Sequence, residues 1–133
     1  MQTIRYINLL DRVSNVKTSK CFSYNNSIIF AVPEKMVSRA VGRNAENIKV
    51  MQDSLGKRIR IVAEASGITE IERFVRDIVS PINFNSVEIR DNVLIISAGG
   101  TQNKAGLIGR ERRRLDELSQ IIKDNFNLDV RIA

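Results

Sequence analysis

Two glycines in this chain are each preceded by an aliphatic residue and followed by an arginine, Val41-Gly42-Arg43 and Ile108-Gly109-Arg110. With no Cβ, a glycine lets the backbone come close to a ligand. A helix that starts just beyond it points unpaired N–H groups and the positive end of its dipole at the same place, and the neighbouring guanidinium adds a charged fork suited to phosphate oxygens. The chemistry these residues offer is phosphate binding; the alternative is that both glycines serve only as helix–helix turn residues. The triplets lie 67 positions apart (41 to 108), half the length of the chain.

Other chemistry is restricted by composition. The 133 residues include no histidine and one cysteine, Cys21, so a Cys/His zinc site, a haem ligand set, a Ser–His or Cys–His nucleophile pair and an intramolecular disulfide are excluded. Glu34, Asp53 and Glu64 are scattered carboxylates that nothing marks as an acid–base pair, and no enzymatic activity, metal or cofactor is expected. Apolar residues make up 43% of the chain and charged residues 27%, enough to build a core. The apolar run Ile28-Ile29-Phe30-Ala31-Val32 is far too short for a membrane span, and Arg5 and Asp11 interrupt the stretch where a signal peptide would be apolar. A soluble cytoplasmic protein with no membrane partner is expected.

Twenty-one Lys and Arg face fifteen Asp and Glu, a net charge of +6 that favours polyanionic partners. Residues 1–66 hold 11 basic and 5 acidic side chains, whereas residues 67–133 hold 10 of each. In the second half Arg110, Arg112, Arg113 and Arg114 crowd five positions, interrupted by Glu111. Such a run is either a solvated helix face or a polyanion site.

The elements that must position the two triplets also recur. A helical pattern with Ile4, Ile7, Leu9, Leu10 and Val13 on one face opens the first half over residues 2–15; Ile68, Ile71, Phe74, Val75 and Ile78 form the second, with Ile4/Ile71 and Ile7/Phe74 again 67 apart. Thr69 and Glu72 have the spacing of a capping box. Extended segments 17–24 and 86–90 lead through Asn25-Asn26 and Asp91-Asn92 into β-rich runs 27–32 and 93–98, predicting two hairpins. Beyond each triplet come a helix and a strand: Ile48, Met51 and Leu55, stopped by Gly56, then 57–62; and Leu115, Leu118, Ile121 and Ile122, then 127–133. Each half reads α-β-β-α-turn-α-β.

In this order the residues resemble a tandem pair of type II KH domains, α-β-β-α-α-β units with a Gly-x-x-Gly loop between the two later helices. Arg39-Ala40-Val41-Gly42-Arg43-Asn44-Ala45-Glu46-Asn47-Ile48-Lys49 and Lys104-Ala105-Gly106-Leu107-Ile108-Gly109-Arg110-Glu111-Arg112-Arg113-Arg114-Leu115 carry the likeness. Two such modules, 1–66 and 67–133, fill the chain, as in the archaeal NusA-like transcription factors. The resemblance implies an α+β fold with a three-stranded sheet and helices on one face in each domain. It implies grooves holding about four nucleotides of single-stranded RNA. Arg39, Val41, Gly42, Arg43, Asn44, Ala45, Ile48 and Lys49 would bind in the first domain, and Lys104, Ile108, Gly109, Arg110, Arg112 and Arg113 in the second. Val41, Ile48 and Ile29 would supply floor or supporting core, with Ile59 and Ile61 at the sheet edge. With 5% aromatic residues and no tryptophan, the chain lacks the stacking platforms of other RNA readers.

The function implied is modulation of transcription termination or antitermination by a monomer that grips nascent RNA near RNA polymerase. A KH-type factor of ribosome biogenesis or RNA processing is the alternative, and a protein-binding scaffold with degenerate loops is a third reading. Where the family has the second loop glycine, this chain has Ala45 and Arg112. Alanine is a mild change unless the position needs a positive φ, whereas the Arg112 side chain lies across the backbone path and Glu111 puts a carboxylate where a phosphate would sit. The first domain is thus expected to be the stronger RNA site.

Overall fold

The computed structural model describes residues 2–133. The chain forms two compact units, one ending at Glu64 and the other beginning at Ala65. In the first, α1 (Gln2–Ser14) leads to β1 (Lys20–Tyr24) and β2 (Ser27–Val32), then α2 (Val37–Val41), α3 (Glu46–Leu55) and β3 (Arg58–Ala63). The second repeats the order with α4 (Ile71–Val79), β4 (Ser86–Arg90), β5 (Val93–Ser97), α5 (Thr101–Ile108), α6 (Arg113–Phe126) and β6 (Asp129–Ile132). The architecture is α+β, with one three-stranded sheet per unit.

Both hairpins close through two residues with positive φ, Asn25 and Asn26 at 48° and 61° and Asp91 and Asn92 at 52° and 62°. That is the type I′ geometry whose twist matches paired strands, and Asn and Asp tolerate it better than other non-glycine residues. It sets Tyr24 opposite Ser27 and Arg90 opposite Val93 in antiparallel ladders. The last strand of each unit joins in parallel, Ile28 opposite Ile59 and Leu94 opposite Val130. A parallel neighbour requires a crossover, and the two-helix segment bearing the glycine triplet provides it. The triplet is therefore tied to the sheet at both ends.

Ile28, Phe30 and Val32 point to one side of β2 and join Tyr6, Leu10, Val16, Ala40, Met51 and Ile59 in the first core, with Ile48 and Leu55 packed against it. In the second unit Phe74, Ile78, Leu94, Ile96, Leu107, Leu118 and Ile122 are fully buried, and Phe74 meets Phe126 edge to face at 5.7 Å. The spacing of equivalent residues drifts along the chain. It is 66 in the hairpins (Asn25 to Asp91), 67 at the glycines (Gly42 to Gly109) and 71 in the last strands (Arg58 to Asp129). The last step arises because α6 has 14 residues and α3 has 10, about one extra turn.

Two local expectations are corrected. Ile4 is 63% exposed while Ile71 is 4% exposed, so these are not equivalents. The matching buried pairs are Tyr6/Phe74 and Leu10/Ile78, 68 apart, because the opening helices are offset by one residue relative to the loop. Nor do Thr69 and Glu72 form a capping box: a short 3-10 turn, Ile68–Glu70, precedes α4, and Glu72 instead accepts from Arg76 one turn on. The carboxylate that shapes this start is Glu70, which accepts from the Ser66 hydroxyl at 2.6 Å and from Arg73 at 2.9 Å. These bonds hold its carboxyl below the usual range, so the stability they give is present at neutral pH and lost as pH falls through that lowered value.

Among the described residues, no helix is long and apolar enough to cross a membrane. Cys21 packs against the first core, and burial pushes its thiol up to about 11. Alkylation by iodoacetamide at pH 8 should consequently be slow in the native protein and fast in urea, since the thiolate is the nucleophile. Equal rates in the two states would show that Cys21 is not held in the core.

Candidate nucleic-acid interface

The α2–α3 and α5–α6 connections are built alike. Gly42 ends α2 with its N–H donating to Ser38 O at 3.0 Å, and Gly109 ends α5 with its N–H donating to Ala105 O at 2.9 Å. Their dihedrals, φ 81° and ψ 168° against φ 75° and ψ 173°, fall in a region essentially open only to glycine. Two left-handed residues follow one position later, Asn44 (φ 55°) and Ala45 (φ 59°) in the first unit and Glu111 (φ 56°) and Arg112 (φ 62°) in the second. Ala45 N–H donates to Gly42 O and Arg112 N–H to Gly109 O, both at 3.2 Å. The amides of Glu46 and Arg113 then close the next turn on Arg43 O and Arg110 O. These bonds engage the amides after the loop tip and launch α3 and α6 in the same direction relative to each glycine.

A side chain just inside the following helix braces each loop. Asn47 Nδ2 donates to Arg39 O at 3.0 Å, and Arg114 Nη1 donates to Gly106 O at 3.2 Å. Asn47/Arg114 and Arg39/Gly106 are both pairs 67 apart. A Cβ on Gly42 would sit 2.9 Å from the Asn47 amide group, and one on Gly109 would sit 2.8 Å from Arg114 Cγ. Glycine is thus required twice over, by dihedral and by the close approach of the brace. Sequence reasoning missed Asn47 and Arg114, because an amide and a guanidinium share no motif. The one available signal was their position five residues after each glycine.

Arg39, Arg43, Asn44 and Lys49 are exposed, while Val41, Gly42, Ala45 and Ile48 are half-buried. Arg43, Asn44, Glu46 and Lys49 line an open depression of about 250 Å³ at the start of α3. In the second unit Lys104, Arg110, Arg112 and Arg113 are exposed and Ile108 and Gly109 half-buried. The expected residues of each loop are therefore brought together, and of the two roles expected for Ile29 and Ile48, floor or supporting core, both take the supporting one. Ile29 is completely buried and cannot line a groove, and Ile48 packs partly into the core.

Arg112 does not deflect the backbone, since its dihedrals match those of Ala45 within a few degrees in φ. The cost is conformational strain. The left-handed conformation is unfavourable by about 1–2 kcal/mol for residues other than glycine, so neither Ala45 nor Arg112 is mild at this position. Charge around the loops is also balanced. Over matched stretches, residues 39–49 hold Arg39, Arg43 and Lys49 against Glu46, and residues 106–116 hold Arg110, Arg112, Arg113 and Arg114 against Glu111 and Asp116. Both loops carry the same local excess of two positive charges.

None of these cations takes part in an ion pair among the described residues, whereas Arg73, Arg76, Arg90 and Lys123 of the second unit do. Pairing elsewhere leaves the loop cations of that unit free. Among the described residues there is no group of three or more His, Cys, Asp or Glu able to hold a metal ion.

The fold and its paired loops define a KH-like α+β protein. The chain resembles archaeal NusA-like proteins. It is 25% identical over 126 residues to the probable transcription termination protein NusA of Methanocaldococcus jannaschii, covering 92% of this chain and 67% of that protein. Proteins of the same name from Methanococcus vannielii (21% identity; 90% of this chain, 69% of the relative) and Halococcus morrhuae (23%; 95% and 90%) are similar as well. Among solved structures, the crystal structure of APE1850 superposes with a TM-score of 0.70 at 26% identity, over 98% of this chain and 96% of that one. No family model matches the chain.

The strain can be read by substitution. Ala45→Gly and Arg112→Gly should each leave stability unchanged or raise it by up to about 1 kcal/mol, relief of the left-handed strain outweighing glycine's greater unfolded-state freedom. Gly42→Ala should cost about 1–3 kcal/mol. Urea denaturation followed by circular dichroism tests both, and the reverse order would show that the loops are not held as described.

Proposed function

We propose that the chain consists of two tandem type II KH domains, residues 1–66 and 67–133, that hold single-stranded nascent RNA and modulate transcription termination or antitermination. The observation that carries the reading is the shared loop geometry. Two sequences that differ at two of the four loop positions, Gly42-Arg43-Asn44-Ala45 and Gly109-Arg110-Glu111-Arg112, adopt one strained conformation. The fold needs this turn to reverse the chain between its two helices, but it does not need unpaired cations beside both copies. A phosphate backbone passing each glycine accounts for them, because close approach, the positive end of the following helix's dipole and an arginine fork act on it together.

RNA-binding residues in this reading are Arg39, Val41, Gly42, Arg43, Asn44, Ala45 and Lys49 in the first domain, with Ile48 beneath them. In the second they are Lys104, Ile108, Gly109, Arg110, Arg112 and Arg113. The matching backbone and equal local charge support use of both loops. The names of the similar archaeal proteins support transcription termination over ribosome biogenesis as the setting. The protein would then work in the cytoplasm, as a monomer, alongside RNA polymerase.

Fluorescence anisotropy with an unstructured RNA should show micromolar binding that weakens steeply between low and physiological salt. Replacing Arg43 and Asn44 by Asp, or Arg110 by Asp, should each weaken binding about tenfold, equivalent to about 1.4 kcal/mol. Absence of binding at low salt, or indifference to both sets of substitutions, would refute the reading.

A further inference from the structure

A second depression, of about 270 Å³, lies at the opposite end of α3 and is lined by Gln52, Gly56, Lys57 and Arg58. Lys57 and Arg58 are exposed and without an ion-pair partner among the described residues. They are not needed to finish the helix. Gly56, left-handed at φ 65°, already closes it by donating its N–H to Gln52 O at 2.8 Å. Gln52 is itself fixed, because its Oε1 accepts the Ile59 N–H at 3.1 Å, which leaves its amide nitrogen with two N–H donors beside the cations. One ammonium, one guanidinium and one anchored amide donor, with no carboxylate among the lining residues, make a set suited to a phosphate oxygen.

The second unit has no such set. There the turn after α6 is Asn127-Leu128-Asp129, and Lys123 pairs with Asp129 at 3.4 Å. The basic excess of the first unit is thus placed partly here, outside the loop that the glycine motif marks.

We infer that the α3–β3 turn, through Lys57, Arg58 and Gln52, is a second phosphate-contact position for an RNA strand already held at Gly42–Ala45. The inference rests on the RNA-binding reading above. The two depressions flank a helix of 10 residues, about 15 Å long, so one extended strand can run along the exposed side of α3 from Arg43 and Lys49 to Lys57 and Arg58. A strand whose nucleotides are all taken up by the loop groove has none left for the turn, which makes the contact dependent on RNA length.

The test compares wild type with K57Q/R58Q, substitutions at exposed positions outside the core, using RNAs of about four and about eight nucleotides, one and two groove lengths. For the longer RNA, the slope of log affinity against log salt should fall by about 1.4 in the variant, the value for two lost single-strand phosphate contacts, and affinity should drop several-fold. For the shorter RNA, slope and affinity should match wild type. Equal losses for both lengths, or none for either, would overturn the second contact while leaving loop binding intact. If wild type binds neither RNA, the RNA-binding reading fails and this inference falls with it.

Discussion

Everything near the candidate interface depends on one backbone constraint, the turn in which a glycine at φ near 80° is followed, one residue later, by two left-handed residues. This turn stops one helix and starts the next within a few residues, and the reversal lets a parallel strand return to the sheet beside β2 or β5. The glycine cannot be replaced without displacing Asn47 or Arg114, whose bonds to Arg39 O and Gly106 O fix the preceding helix end. A strained turn braced on both sides stays open to a ligand without having to reorganise, which is how a fixed set of donors acts most efficiently on an anion.

The two units use the same frame with different surroundings. In the second, ion pairs along α4 and at the ends of β4 and α6 absorb many of the basic side chains, so the remaining cations cluster at the loop. Exposed pairs of this kind add little stability, and their effect here is chiefly to decide where unpaired charge remains. In the first, few cations are paired and the free charge extends from the loop to the far end of α3. A neutral unit and a strongly basic unit therefore present equal charge at their loops and differ beyond them.

Much of this could be read from the amino-acid sequence where the chemistry is local. Asn25-Asn26 and Asp91-Asn92 announce type I′ turns because few residues tolerate consecutive positive φ, and Gly56 marks its helix end for the same reason. The candidate loops were legible as well, since glycine followed by arginine recurs between two helical patterns in both halves, whereas a single copy would read as a plain helix–helix turn. Three features were not. The opening helices were aligned on Ile4 and Ile71 by carrying over the spacing of 67 from the loops, but burial follows tertiary packing and selects Tyr6 and Phe74. The braces Asn47 and Arg114 reach one carbonyl position with unrelated groups, so no residue pattern signals them. The left-handed state of Ala45 and Arg112 was hidden because both side chains usually avoid it, and the surrounding bonds impose it.

The central claim is that both glycine loops grip the RNA backbone. Its most direct measurement is a titration of ¹⁵N-labelled protein with an unstructured single-stranded RNA, following each backbone amide by NMR. The largest shifts are expected at Gly42–Glu46 and Gly109–Arg113, with smaller ones along α3. Shifts confined to other surfaces, or none at saturating RNA, would contradict it.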